Sequence, residues 1–224
     1  MPGRLSARLG SRGKPDESKA TILQAAIREF AREGLAGARI DNISHAAKVN
    51  KALIYYYYID KDKLYGATLD YVFQMRTDRL MKVLREDVPP GEKILRYVGA
   101  FFDYLVEFPF HRDMIQREVL VLERKSQMKR VIHRYVRPLY EELHKVLKAG
   151  IAAGTFRTVD PAQFIPMMGA LVMQYFGNAP LMKLISNEDP MKPDKLAARR
   201  AALLDFIAAA LFEHTGIKRD ADSE

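Results

Sequence analysis

RIDNISHAAKVNKALIYYYYIDKDKL, residues 39–64, is the stretch whose reading decides the fold. Apolar residues at helical spacing predict a short helix over residues 40–47, with Ile43 and Ala47 on one side. Lys48, Val49 and Asn50 make a tight turn, and Asn50 is a good N-cap for a second helix over 51–57. Ile43, Ala47, Val49, Ile54 and Tyr58 have the spacing to form the small core that locks the two helices together. The run Leu53–Ile59 has high strand propensity. A lone strand would have no partner in a chain that is otherwise helical in pattern, so the run is expected to be helical. Lys51, Leu53, Tyr55, Tyr56 and Tyr57 then face outward. A row of outward tyrosines is costly unless something covers it. Phenolic hydroxyls donate to phosphate oxygens, and the rings meet thymine methyls and sugar faces. A helix-turn-helix of this kind sets its second helix in the major groove of DNA. Asp60 can cap the helix that follows, with Lys61 in its first turn.

Helical periodicity extends in both directions. Upstream, Ile22, Leu23, Ala26, Ile27, Phe30 and Ala31 lie on one helix, capped by Asp16 or Ser18 and ended by Gly34. Downstream, a long helix from Lys61 is stopped by Val88-Pro89-Pro90-Gly91. Further helices are expected over 92–107, 111–125, 127–153, 161–185 and 193–214. The chain of 224 residues carries 36 Lys and Arg against 28 Asp and Glu, a net charge of +8. Such a charge suits an anionic partner but does not identify one. It is unevenly spread: residues 1–70 are net +4, residues 111–150 are net +5, and the remainder is near neutral. Residues 1–17 form a basic flexible segment, either a solvated tail or an arm that touches phosphates. Cysteine is absent, which excludes disulfides, Cys-based zinc sites and thiol nucleophiles. No apolar signal segment precedes the first helix.

From Ala20 to Leu69 the chain resembles the DNA-binding domain of the TetR (tetracycline-repressor) family. The segments that carry the resemblance are ILQAAIREFAREG (22–34), IDNISHAAKVNKALIYYYY (40–58) and DKDKLY (60–65). The resemblance implies an all-α chain with an N-terminal three-helix helix-turn-helix domain and a C-terminal helical domain for ligand binding and dimerisation. The boundaries are then residues 1–17 for the arm, 18–65 for the DNA-binding domain and 66–90 for a connecting helix. Residues 91–215 form the second domain and 216–224 a flexible tail. By the same resemblance the DNA-facing positions are Arg39, Asn50, Lys51, Ala52, Leu53, Tyr55, Tyr56, Tyr57 and Lys61. The chain departs from the family pattern in three places. Arg39 replaces a capping hydroxyl, and Lys48 replaces a turn glycine. Lys48 must adopt a left-handed conformation, costing about 1 kcal/mol, or change the turn. Ala52 keeps a small residue, while Leu53 replaces a small polar one and leaves only apolar contact with a base.

For the second domain the residues offer less. Aromatic residues and methionines at helical spacing are most often ordinary core, but they also suit an apolar ligand pocket with a few polar groups. The candidate ligand residues are Phe101, Tyr104, Phe108, His111, Met114, His133, Met168 and Gln174, and the expected effector is a small apolar or aromatic molecule. The last two helices are candidates for a homodimer interface. There Leu196, Leu203, Ile207 and Ala210 form one stripe, with Leu204, Phe206, Leu211 and Phe212 beside it. Gly169, Ala170, Met173, Phe176 and Gly177 lie on the helix before. The alternative is that they close the monomer's own core. Residues 161–182 carry no charge over a length near a membrane span, but Pro166, Pro180, Gln163, Gln174 and Asn178 argue for a buried helix instead. Glu141-x-x-His144 has di-iron spacing without the further ligands such a site needs. No catalytic triad, phosphate loop or paired carboxylate stands out, and no metal or cofactor is expected. The sequence therefore predicts a cytoplasmic, non-enzymatic repressor. It binds a palindromic operator in double-stranded DNA as a homodimer and releases it on binding an effector. The competing class is an all-helical enzyme or carrier of a hydrophobic molecule.

Overall fold

A computed structural model describes residues 15–120 and 125–212. The N-terminal arm before Pro15 and the C-terminal tail lie outside the described residues. Among the described residues eleven α-helices follow one another: α1 Pro15–Gly37, α2 Ile40–Ala47, α3 Lys51–Tyr58, α4 Lys61–Leu84, α5 Pro90–Glu107, α6 Pro109–Leu120, α7 Lys125–Val131, α8 Arg137–Ala152, α9 Pro161–Gly177, α10 Ala179–Ser186 and α11 Pro193–Leu211. Among the described residues there is no strand, only one isolated antiparallel bridge between Phe156 and Phe212. No helix among them is long and apolar enough to cross a membrane.

Two compact units divide the chain. The first ends at Phe73 and takes in Phe108–Met128; the second comprises Gln74–Glu107 and the described chain from Lys129. The first unit is not one continuous stretch of chain. The cause is α6, which packs on α1 although about 75 residues separate them. The unit boundary also falls inside α4, between consecutive residues.

In the first unit, Ile22, Ile27, Phe30, Ile43, Ile54, Leu64 and Leu69 are buried together with Met114 and Ile115 from α6. Phe30 meets Tyr65 edge to face at 4.9 Å. The Tyr65 hydroxyl donates to the buried Glu118 carboxylate of α6. The helical course of α1 is broken at Gly34, where φ is 67° and ψ 178°, a region open to glycine alone. Carbonyls left over at this end are taken up from elsewhere. Arg117 of α6 donates to Ala31 and Arg32, and Lys61 of α4 donates to Ala36 and Ala38.

Packing in the second unit is centred on α5, against α8, α9 and α11. Val98, Phe102, Leu105, Leu147, Val172, Leu203, Ile207 and Leu211 form its interior. A bidentate pair from Arg200 to Asp103, at 2.8 and 3.0 Å, ties α11 to α5. A side chain at Gly150 would overlap the ring of Phe156, so the last turn of α8 tolerates only glycine there. Two helices expected to run unbroken do not. The segment expected over 127–153 contains a π turn at Ile132–Val136, closed by the Arg137 N–H on the Ile132 carbonyl. Pro138 follows; it lacks an N–H for the α-register bond to residue 134 and its ring crowds that carbonyl, which the wider turn accommodates. The segment expected over 161–185 breaks at Asn178, because Pro180 cannot continue α9 through that point.

Two helix ends store strain. Lys48 adopts the left-handed conformation (φ 55°) and closes α2 in a Schellman pattern, its N–H on His45 and that of Val49 on Ser44. Ile59 has φ 66° and ψ −56°, and the Asp60 N–H reaches the Tyr58 carbonyl at 2.6 Å. This is the rare, strained form of the γ-turn, on a β-branched residue. Replacing Ile59 by Gly is expected to stabilise the fold by about 1 kcal/mol, the relieved strain outweighing the extra freedom of glycine in the unfolded chain. Chemical denaturation of wild type and variant checks this; a loss of stability contradicts it.

His111 is buried in the first unit, stacked on Phe108 at 5.0 Å with Tyr71 edge-on at 6.1 Å. Burial lowers its pKa from 6.5 to about 4. The folded state therefore keeps His111 neutral while the unfolded state takes up a proton as the pH falls below 6.5. Its contribution is complete above that pH, declines on acidification and levels off near pH 4. Stability curves of His111→Gln are expected to lose this part of the acid dependence; an unchanged pH profile contradicts the assignment.

Candidate nucleic-acid interface

α2 has no side-chain cap of its own, since Arg39 occupies the N-cap position and makes no cap bond. Glu29 of α1 ties down the start of the helix instead. Its Oε1 accepts from the Arg39 backbone N–H at 3.0 Å and from Asn42 Nδ2 at 2.8 Å. This is the work a glutamate at the third helical position does in a capping box, delivered from another helix. Asn50 caps α3 as its residue type predicts, its Oδ1 accepting the Ala52 N–H at 2.9 Å. Ile54 anchors α3 at 1% exposure. Asp60 begins α4 by accepting the Lys63 N–H at 2.7 Å.

With the helix held this way, Tyr56 is 79% exposed and Tyr55 48% exposed. Lys51, Ala52 and Asn50 are also exposed, while Leu53 and Tyr57 are half-buried. Tyr56 and Tyr57 meet at 5.3 Å, Tyr57 and Tyr58 at 6.4 Å, and the Lys19 ammonium sits 5.3 Å from the Tyr57 ring. Burial, and then Tyr57, raise the pKa of Tyr58, which stays a neutral donor to the Lys19 carbonyl. Lys51 pairs with Asp41 of α2. Arg39 is exposed at the mouth of α2. Lys61 stands differently from its expected role: its ammonium holds the carbonyls of Ala36 and Ala38. The geometry suits a helix presented to a duplex, with hydroxyls and rings rather than a dense cluster of cations at its surface. Glu29 and Asn42, which organise this surface, were not singled out from the sequence. Asn42, three residues after the cap position, was the available signal; a glutamate on the preceding helix carries none.

The eight candidate ligand residues fall in both units. Phe108, His111 and Met114 belong to the first unit, with α6. Phe101, Tyr104 and Met168 are buried in the second unit, where His133 is exposed on the π turn. Gln174 alone of the eight lines a cleft of about 650 Å³ between α9, α10 and α11. Sequence reasoning also missed Arg76, which is 8% exposed and 5.8 Å from the Phe101 ring. Burial lowers its pKa and pushes that of the adjacent Tyr97 up to about 12. Glu141 pairs with Arg137, and among the described residues no cluster suits a metal ion.

The expected dimer stripe divides. Leu203, Ile207 and Leu211 close the second unit's own core, whereas Phe206 is 58% exposed beside an outward row of alanines.

Residues 22–68 match the family described as bacterial regulatory proteins, tetR family, and residues 90–207 match the tetracyclin repressor-like C-terminal domain. The transcriptional repressor NicS of Pseudomonas putida is 35% identical over 146 residues, covering 63% of this chain and 67% of that protein. The transcriptional repressor SCO4008 of Streptomyces coelicolor is 52% identical over 56 residues, 25% of this chain and 29% of that protein. The crystal structure of the transcriptional regulator FadR from Bacillus subtilis, in complex with stearoyl-CoA, shares the fold. Its TM-score is 0.67 at 18% identity, over 85% of this chain and 98% of that one. With a helix-turn-helix in the first unit and both domain matches in place, the chain belongs to the TetR family and is a DNA-binding transcriptional regulator.

Proposed function

We propose that the protein is a homodimeric, ligand-responsive repressor whose α3 helices read the two halves of a palindromic operator. The observation that carries this is Tyr56, 79% exposed on a helix that is capped by Asn50 and anchored by Ile54. Arg39, Asn50, Lys51, Ala52, Leu53, Tyr55, Tyr56 and Tyr57 are the proposed contacts. Tyr55 and Tyr56 supply rings and hydroxyls, Leu53 an apolar contact, and Lys51 and Arg39 phosphate partners. Lys61 acts one step back, fixing the carbonyls that join α1 to α2.

A two-fold operator calls for a two-fold protein. α11 turns Ala197, Ala198, Ala201, Ala202 and Ala209 outward with Phe206, and α9 turns Met167, Ala170 and Gly177 outward. Small residues let helices approach closely, and together the two faces suit half of a four-helix contact. For the effector, the buried aromatic cluster of Tyr97, Phe101 and Tyr104 in the second unit, with Arg76 beside it, supports an aromatic ligand. Such a ligand releases the operator if it binds better to a dimer geometry in which the α3 helices are wrongly spaced.

Gel-shift titrations on the DNA upstream of the protein's own gene, at defined salt, test the reading helix. Tyr56→Ala is expected to weaken specific binding by about 1–3 kcal/mol, and Lys51→Ala to weaken all sequences alike and flatten the salt dependence by about one ion. Unchanged binding in both variants overturns the assignment. Ala202→Arg, at a position exposed in the single chain, is expected to give a monomer of unchanged helicity with at least about tenfold lower operator affinity. Sedimentation and circular dichroism check this, and a variant that remains dimeric refutes the proposed face.

A further inference from the structure

The helix between the two proposed dimer helices has no use in the reading so far. α10 is eight residues long, yet it exposes Leu181 (55%), Met182 (42%), Leu184 (78%) and Ile185 (68%). Large apolar side chains at this density on one short helix mark an interaction surface. It ends at Ser186, followed by Asn187 in a left-handed turn and then by Glu188 and Asp189. The tip of α10 is therefore an apolar knob followed by the electronegative end of a helix; of the two carboxylates beyond it, Glu188 pairs with Lys195 and Asp189 accepts the Met191 N–H of the same chain.

Beside it lies a surface of the opposite character. The cleft of about 650 Å³ is lined mainly by apolar groups, among them Met167, Ala170 and Phe206. Met167 and Phe206 are 61% and 58% exposed. Arg199 stands at this cleft, its guanidinium held 5.1 Å from the Tyr175 ring and its Nη2 on the Leu171 carbonyl at 3.4 Å. Its Nε is buried and donates to nothing. A buried donor left so is costly, and a turn of the guanidinium toward an acceptor brought from outside relieves that cost.

We propose that the Leu184–Ile185 end of α10 seats in this cleft on a second copy of the chain, and that the chain after Ser186 brings an acceptor to Arg199. Knob and cleft occur on the same protomer, and a two-fold contact requires such self-complementarity, each copy giving and receiving once. Apolar meets apolar, and the negative end of the helix meets the guanidinium. Met167, Ala170 and Phe206 belong both to the cleft and to the α9–α11 face, so the contact continues the proposed interface. The inference rests on the homodimer reading above and specifies what α10 does within it.

The absence of cysteine makes the test clean. Leu184→Cys and Met167→Cys are introduced singly and together, and treated with a short bis-maleimide. The double variant is expected to give a covalent dimer on denaturing gels, well above either single variant. Leu184→Asp, at an exposed site, is expected to keep its helicity while its dimer dissociation constant rises by about tenfold or more. A protein that sediments as a dimer but is not cross-linked overturns the seating of α10 and leaves the dimer standing. The cleft is then open to a small molecule. A protein that is monomeric at every concentration overturns both.

Discussion

One carboxylate sets the geometry of the reading head. Arg39 cannot cap α2, so the first turn of that helix would end in unsatisfied N–H groups and a loosely defined direction. Glu29 removes this freedom by accepting from the Arg39 N–H and the Asn42 amide together. Because Glu29 belongs to α1, the start of α2 is tied to the main helix of the unit rather than to its own cap. The position of α3 follows, through the Lys48 turn, the Asn50 cap and the burial of Ile43, Ala47 and Ile54. The exposed tyrosines inherit their place from this chain of constraints.

A second theme is backbone carbonyls satisfied at a distance. The stretch after Gly34 could not be left to itself, being broken by a glycine-only conformation. Two basic side chains from separate helices close it: Arg117 on Ala31 and Arg32, Lys61 on Ala36 and Ala38. These cations illustrate how a basic residue in a DNA-binding unit can act through architecture. They also qualify any argument from net charge, because part of the +8 is committed to internal work and to pairs such as Lys51–Asp41.

Much of this was legible in the sequence, for reasons that can be named. α2 and α3 and the Asn50 cap follow from local rules, periodicity and side-chain oxygens at caps; the left-handed Lys48 is one of the two outcomes that the family resemblance implies for a turn without its glycine. The tyrosine run was legible only by context, since its propensity points to a strand and the absence of pairing partners decides for a helix. Less accessible were features made by residues far apart. The Glu29 bond, the grouping of α6 with α1, and the division of the α11 stripe between Leu203, Ile207 and Leu211 inside and Phe206 outside all depend on packing. The unit to which each candidate ligand residue belongs was hidden for the same reason, because apolar spacing reports a buried face without saying which neighbour buries it. Prolines carried a signal that was underused: Pro138 and Pro180 mark the π turn and the break after α9.

The π turn has a consequence for how this chain tolerates change. Five residues, Ile132–Val136, occupy a turn wider than the α-helical one, so the helix carries a surplus residue. Each residue advances an α-helix by about 100°, and the surplus sets the phase between the segments on either side. Val131 and Leu139, both buried, straddle it. Losing one residue here would leave an apparently better helix and yet turn one side away from its packing face. In evolutionary terms the segment is locked in length while remaining free in composition. Relatives that preserve this packing should therefore conserve the spacing between Val131 and Leu139 more strictly than the residues within it.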